Sequence, residues 1–167
     1  MYCLASEVAN TATGGWEELA QRASPAQAGV DGELLRAAVA GQSLADWPPE
    51  AQALAAEAVI RLNDAIDKAG RHIDTYLFPR YRGVMPLAAE VVEASSLPGV
   101  CAALALRRLW GASLPEELRR GTAWADQYLV DVSKGIVSLG QADTAVAQAP
   151  GQTVARSQAK RFEWDGY

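Results

Sequence analysis

Residues suited to chemistry are concentrated in one short part of the chain, HIDTYLFPRYRGVMPL at positions 72–87. This stretch holds the only histidine, His72, together with three other aromatic rings and two arginines. Aromatic rings beside arginines can stack on the bases of single-stranded nucleic acid. A histidine can act as a general base when a second group orients it, but Asp74 belongs to a different helix face. The stretch is therefore a candidate nucleic-acid site and a poor candidate for acid–base catalysis or metal binding.

A structural interpretation of the same stretch is favoured. Tyr76 continues the apolar stripe of a long helix, and prolines bound the turn that follows it. The net charge of −5 argues against base stacking, because a nucleic-acid site needs a basic surface. We therefore predict a corner that fixes how two helices meet, formed by Tyr76, Pro79, Tyr81 and Pro86, and a structural or surface role for His72.

No catalytic constellation is visible in the sequence. The motifs that mark phosphate, dinucleotide and zinc sites or a nucleophile elbow are absent. Cys3 and Cys101 are distant in sequence and belong to no CxxC or Cys/His pattern, so we expect two buried thiols. We assign no catalytic residue, no cofactor and no metal ligand, and we expect a protein that is not an enzyme.

Length and charge narrow the class of protein further. A chain of 167 residues fits one domain, and its apolar runs are too short to span a bilayer, so no membrane partner is expected. The opening lacks the pattern of a signal peptide, which predicts a cytoplasmic site of synthesis and assembly. Charge is uneven, at −7 over residues 1–67 and +2 over residues 68–167. The two ends of the molecule are therefore expected to face different surroundings.

Helical periodicity dominates residues 1–140. Two short helices are predicted at residues 17–23 and 33–40, the second entered through Asp31 and left at Gly41. A long helix should run over residues 49–77, with prolines in its first turn and Pro79 ending it. A buried helix should follow at residues 98–110. The capping-box spacing from Ser113 to Glu116 predicts a last helix, ending at Lys134 and Gly135.

Two apolar stripes define the predicted core. The stripe of the long helix consists of Val59, Leu62, Ile66, Ala69, Ile73 and Tyr76. The stripe of the last helix consists of Leu118, Thr122, Ala125, Leu129 and Val132. Long helices joined by short links indicate an all-α fold, a small helical bundle with one long central helix. Residues 1–140 form the predicted domain.

Residues 141–167 differ in character and are predicted to form an extended C-terminal docking arm. Most of the segment is small and polar, so alone it cannot bury enough apolar surface to fold. Its end, AKRFEWDGY, carries large aromatic residues that need a surface to dock on. That surface could belong to the same bundle, but we favour docking onto another chain. The predicted partner-binding residues are Arg156, Lys160, Arg161, Phe162, Trp164 and Tyr167.

Two pairs of arginines leave a second hypothesis open. Arg107 and Arg108 lie at a predicted helix end, and Arg119 and Arg120 lie in the helix that follows. Helix-end charges and subunit contacts are the favoured interpretation. The alternative is a cytoplasmic helical nucleic-acid-binding regulator that uses these arginines together with the Tyr/Arg turn.

The order of several short motifs resembles a known family. They are IDTYL at 73–77, PRYR at 79–82 followed by PL at 86–87, RRLWG at 107–111, LPEELR at 114–119 and GIVSLG at 135–140. With the opening MYCLASEV, this set resembles the head-to-tail connector, or adaptor, proteins of Mu-like tailed bacteriophages. Residues 87–97 form a longer connection than the turn expected there.

The resemblance implies a structural virion protein. Such proteins form a homo-oligomeric ring, expected to be a dodecamer, beneath the portal protein in the neck between capsid and tail. The ring extends the DNA channel, and genome DNA passes through it without specific binding. On the other side it meets a tail-side stopper or tail completion protein. The resemblance also implies a C-terminal arm that reaches the portal or a neighbouring subunit, and assembly in the host cytoplasm.

Overall fold

A computed structural model describes residues 1–24 and 30–140 of the chain. These residues form seven α-helices, one short 3-10 helix and no strand, which confirms the predicted all-α bundle. No helix in this part of the chain is long and apolar enough to cross a membrane. The helices are α1 (Ala5–Thr11), α2 (Gly15–Ala23), α3 (Gly32–Val39), α4 (Pro49–Tyr81), α5 (Ala89–Glu93), α6 (Leu97–Trp110) and α7 (Glu116–Lys134), with the 3-10 helix at Gly111–Ser113.

The long helix α4 lies at the centre of the bundle, but its buried stripe ends differently from the prediction. Its 33 residues begin with Pro49 in the first turn, as expected. From Ile73 the buried positions are Leu77 and Tyr81, whereas Tyr76 is only half-buried. A step of four residues turns the helix by 400°, which is nearer to one full turn than the rotation of a three-residue step. Leu77 therefore lies closer to the line of Ile73 than Tyr76 does. The predicted stripe was therefore wrong at its last position, and its first residue, Val59, is also only half-buried.

Pro79 does not end α4, contrary to the prediction. The helix continues for two more residues, with Pro79 inside it. A proline in a helix interior removes one hydrogen bond and costs about 3 kcal/mol. Here both Pro79 and Thr75, whose carbonyl loses its donor, are exposed, so water can bind that carbonyl. Complete burial of the Tyr81 ring favours the extra half turn.

The helices α6 and α7 pack on α4 and complete the core. Eight residues of α6 are buried, and the helix stops at Gly111, which has a φ of 57°. In α7 the predicted stripe is confirmed from Thr122 to Val132, and Gly135 ends the helix in the left-handed conformation. The predicted capping box is wrong, because Ser113 belongs to the 3-10 helix and Pro115 precedes α7.

The short helices α2 and α3 pack against each other. Asp31 caps α3 as predicted, and its Oδ1 accepts a hydrogen bond from the Leu34 amide at 2.7 Å. The Glu17 carboxylate accepts from the Gly32 amide at 2.8 Å and joins the two helices. A Cβ at position 32 would lie 2.8 Å from the Glu17 nitrogen. The close approach of α2 to α3 therefore requires glycine.

Two helices were not predicted. In α1 the Glu7 carboxylate accepts from the Leu4 amide at 2.6 Å, and Val8 and Ala9 are buried. In α5 only Val92 is buried. Both helices are shorter than the roughly 12 residues over which a helix is stable alone, so tertiary packing holds them.

Candidate functional site: helix junctions and exposed surfaces

Two of the sequence motifs, PRYR and GIVSLG, meet where α4 and α7 end. One Arg80 Nη donates to the Val132 carbonyl at 3.1 Å and lies 3.5 Å from the Val137 carbonyl. The same nitrogen lies 3.0 Å from where a Cβ of Gly135 would be. A guanidinium at this position satisfies carbonyls at the end of α7 and suits the negative end of the helix dipole. Arg80 thus fixes the end of α7 against α4.

The opening residues and the motif IDTYL form a second junction. The Tyr2 hydroxyl donates to Asp74 Oδ1 at 2.5 Å, across 72 positions of sequence. The Tyr2 ring passes so close to α4 that a Cβ at Gly70 would lie 3.4 Å from it. Burial, followed by the bond to Asp74, raises the pKa of Tyr2 above its ordinary value of 10.0. The hydroxyl therefore stays protonated and remains a donor.

The motif RRLWG joins α6 to two other helices. Trp110 Nε1 donates to Glu18 Oε1 at 2.9 Å, and the Arg22 guanidinium lies 3.5 Å from the centre of the Trp110 ring. On the other side Arg107 pairs with Asp126 of α7 at 2.5 Å. A cation over an indole ring is attracted by its π face. This motif therefore ties α6 to α2 and to α7.

The candidate basic patch is partly neutralised, because two carboxylates pair with three of its four arginines. Arg107 has its partner on α7, and both Arg119 and Arg120 pair with Glu116, at 3.2 and 3.0 Å. Arg108 is exposed at the end of α6. A phosphate would have to displace these carboxylates, so the patch is weaker for DNA than four arginines alone suggest.

The predicted corner residues occupy different surroundings. Tyr81 is fully buried, and Pro79 lies in the last turn of α4. Pro86 is exposed and follows a cis peptide bond from Met85. Tyr76 is half-buried and meets the ring of His72 edge-on, with ring centres 5.3 Å apart. The stretch contains the end of α4 and the turn after it, and no group of three or more metal-ligating side chains is found in the described part of the chain.

The two cysteines are buried and adjacent in space. Both are free thiols within the core. The hydrogen bond to Cys101 and burial raise the pKa of the Cys3 thiol, so it stays neutral. Cys3 thereby anchors the opening residues against α6.

Apolar side chains also project from the surface of the bundle. Ile60 is 68% exposed and Phe78 is 58% exposed, both on α4. They are 18 positions apart, about five helical turns, so they lie in one line roughly 27 Å apart. Between them the face carries charges of both signs, including the Asp64–Lys68 pair at 2.6 Å. This line of residues on α4, here called the outer face, is suited to contact another protein surface.

Two clefts flank the small helix α5. One, of about 510 Å³, lies between α5 and the segment 138–140, where the described chain ends. The other, of about 270 Å³, lies between α5 and the opening residues. Glu90 and Glu93 of α5 are exposed beside them. No sequence periodicity predicted α5; the one signal was the unusual length of the connection at 87–97.

The partner-binding residues predicted in the C-terminal arm lie outside the described residues. They are Arg156, Lys160, Arg161, Phe162, Trp164 and Tyr167. Their roles stay predictions.

Comparison with known protein families gives one match. Residues 15–157 match the family described as Bacteriophage Mu, Gp36. No curated protein and no solved structure matches the chain. The matched region contains α2 to α7 and all of the motifs described above except the opening MYCLASEV. The chain therefore belongs to the bacteriophage Mu Gp36 family and is a protein of Mu-like phages.

Proposed function

We propose that this protein is a head-to-tail connector, a structural virion protein that forms a ring under the portal and extends the DNA channel. The outer face of α4 carries the proposal. Its 33 residues make a rigid rod about 50 Å long, with exposed Ile60 and Phe78 in one line. A helix face of this kind suits repeated contact between copies of one chain.

Ring formation requires a heterologous contact, in which the outer face meets a different surface of the next copy. Mixed charges between the two apolar residues, such as Asp64 and Lys68, would set the register of that contact. The family resemblance gives twelve as the expected number of copies. The same resemblance places the portal protein on one side and a tail-side stopper or completion protein on the other, in the neck of the virion, after assembly in the host cytoplasm.

The charge of the molecule suits a channel through which DNA moves without specific binding. A net charge of −5 repels phosphate weakly, and the arginines at 107, 119 and 120 are paired with carboxylates. We propose that the protein acts by binding and not by catalysis. Phe162 and Trp164 are the proposed anchors of the C-terminal arm, with Arg156, Lys160 and Arg161 adding charged contacts.

Deleting residues 156–167 tests this function. The truncated protein should no longer attach to portal-bearing heads, while its far-ultraviolet circular dichroism stays helical, because the seven α-helices that the structure describes lie outside the deleted segment. Normal attachment by the truncated protein would contradict the role of the arm.

A salt titration of DNA binding separates the connector from the regulator. A regulator should bind DNA with submicromolar affinity that falls steeply as salt increases, since each phosphate contact releases counterions. The connector should show almost no binding at any salt concentration.

A further inference from the structure

The surface around α5 is acidic and has no cationic partner among the described residues. Glu90 and Glu93 are exposed, and no ion pair to either forms within residues 1–24 and 30–140. Most exposed carboxylates of a bundle need no partner, so charge alone assigns nothing. What distinguishes this place is the pair of clefts on either side of the same short helix.

Apolar side chains border the second cleft. Met1 is 82% exposed and Leu4 is 60% exposed, and both line the cleft together with Val92 and Pro98. The hydrogen bond of Tyr2 and the buried Cys3 hold these opening residues in place, so the cleft has a fixed wall. Fixed apolar walls beside two carboxylates are suited to a ligand that carries both large apolar groups and positive charge.

One segment of this chain has that chemistry. Residues 156–161 contain Arg156, Lys160 and Arg161 with no acidic residue, and Phe162 and Trp164 follow on either side of Glu163. Three basic residues and one acidic residue give residues 156–164 a net charge of +2. In an extended peptide, residues two apart point to the same side, so both rings could enter one cleft. The charges of the segment complement those of Glu90 and Glu93.

The length of chain before this segment allows it to reach a neighbouring copy. The described chain ends at Gly140, in the first cleft, and the second cleft begins across α5. Crossing one helix requires about 10 Å, which a few residues cover. Residues 141–155 can span roughly 50 Å when extended, far more than docking on the same bundle needs.

We propose that residues 156–164 of one copy dock on the surface around α5 of a neighbouring copy, here called the α5 groove. Phe162 and Trp164 would fill the apolar cleft beside Met1 and Leu4, and the cations would pair with Glu90 and Glu93. This inference rests on the proposed function in one respect, because the proposed ring supplies the neighbouring copy. It goes beyond that function by naming the surface within the ring that accepts the C-terminal arm.

Disulfide trapping between two full-length variants tests the proposal. One variant carries Ala89→Cys, an exposed position that lines the apolar cleft, and the other carries Asp165→Cys, so that no residue assigned to the contact is replaced. The two variants are mixed under mild oxidation. We expect a cross-linked heterodimer at least tenfold more abundant than that formed when Ala89→Cys is replaced by Thr13→Cys, an exposed control position between α1 and α2. Adding Lys160→Glu and Arg161→Glu to the Asp165→Cys variant should remove that excess. Adding Glu90→Lys and Glu93→Lys to the Ala89→Cys variant should partly restore it.

Two outcomes would overturn the proposal. Equal trapping at positions 89 and 13 would show that the α5 groove is not the acceptor. Trapping that occurs only within a single chain carrying both cysteines would show docking on the same bundle. Mass measurement of the unmodified protein bound to portal is a separate readout, so a ring that forms without trapping rejects this inference and leaves the proposed function intact.

Discussion

Arg80 donates a hydrogen bond to the carbonyl of Val132, and this contact fastens the end of α7 to the end of α4 across 52 positions of sequence. The arginine is half-buried, whereas Arg82, two residues later, is exposed. Both residues belong to the PRYR motif, but only the first faces the carbonyls that end α7. The two arginines of one motif therefore have different roles.

Arg80→Ala should lower the free energy of unfolding by about 1.5–3 kcal/mol, because it removes a charged donor from part-buried carbonyls. Arg82→Ala is the matched control and should change it by less than about 0.5 kcal/mol. Urea unfolding followed by circular dichroism measures both. Equal effects of the two substitutions would contradict the assigned role of Arg80.

The hydrogen bond between Tyr2 and Asp74 should stabilise the folded protein less at high pH. Tyr2→Phe should cost about 0.5–1.5 kcal/mol near pH 7. Because the folded-state pKa of Tyr2 is raised, the contribution of the hydroxyl is complete below its ordinary pKa of 10.0 and is lost as the pH rises above that value. The difference between the native protein and Tyr2→Phe should therefore shrink above pH 10. Tyr76→Phe is the control, since its hydroxyl has no hydrogen bond among the described residues; a constant difference up to pH 11 would contradict the assignment.

Replacement of glycine by alanine should change the stability of the protein in opposite directions at positions 32 and 121. Gly32→Ala should destabilise the protein by about 1–3 kcal/mol, because the new Cβ would meet the Glu17 backbone at 2.8 Å. Gly121→Ala should stabilise it by roughly 0.5–1 kcal/mol, because this helical position is open and alanine favours the helix. Thermal unfolding of the two variants gives both signs. Stabilisation by Gly32→Ala would mean that α2 and α3 do not approach so closely.

Substitutions on the outer face of α4 should leave folding normal and prevent assembly. Ile60→Asp and Phe78→Asp replace exposed side chains, so each should change stability by less than about 0.5 kcal/mol. In a ring they would place an unpaired charge in a contact, and the copy number measured by mass photometry on portal should fall. Thr13→Asp is the control at another exposed position. Normal assembly of both α4 variants would exclude this face as a subunit contact.

Much of the fold could be predicted from periodicity, because α4, α6 and α7 each bury one regular stripe or an entire helix. The errors arise where tertiary packing outweighs local preference. Burial of Tyr81 continues α4 through Pro79, and Leu77 replaces Tyr76 in the core. The helices α1 and α5 have too few residues for a periodic signal and depend on contacts that no local pattern contains.

The candidate sites were less predictable than the fold. The aromatic and charged residues of PRYR and RRLWG are typical of a nucleic-acid site. In the structure, however, Arg80 binds the Val132 carbonyl and Arg107 binds the Asp126 carboxylate. Sequence spacing does not indicate which arginine has a carbonyl or a carboxylate beside it. The docking arm was predicted from composition alone and stays a prediction. The acceptor proposed for it could be named only from the placement of α5 beside the opening residues.

The most direct test of the connector is the mass of the complex formed with a purified portal ring. Native mass spectrometry or electron microscopy of the mixture should give one closed ring of this protein on each portal, with twelve copies as the expected number. Absence of any complex, with the protein remaining monomeric at saturating portal, would contradict the connector function.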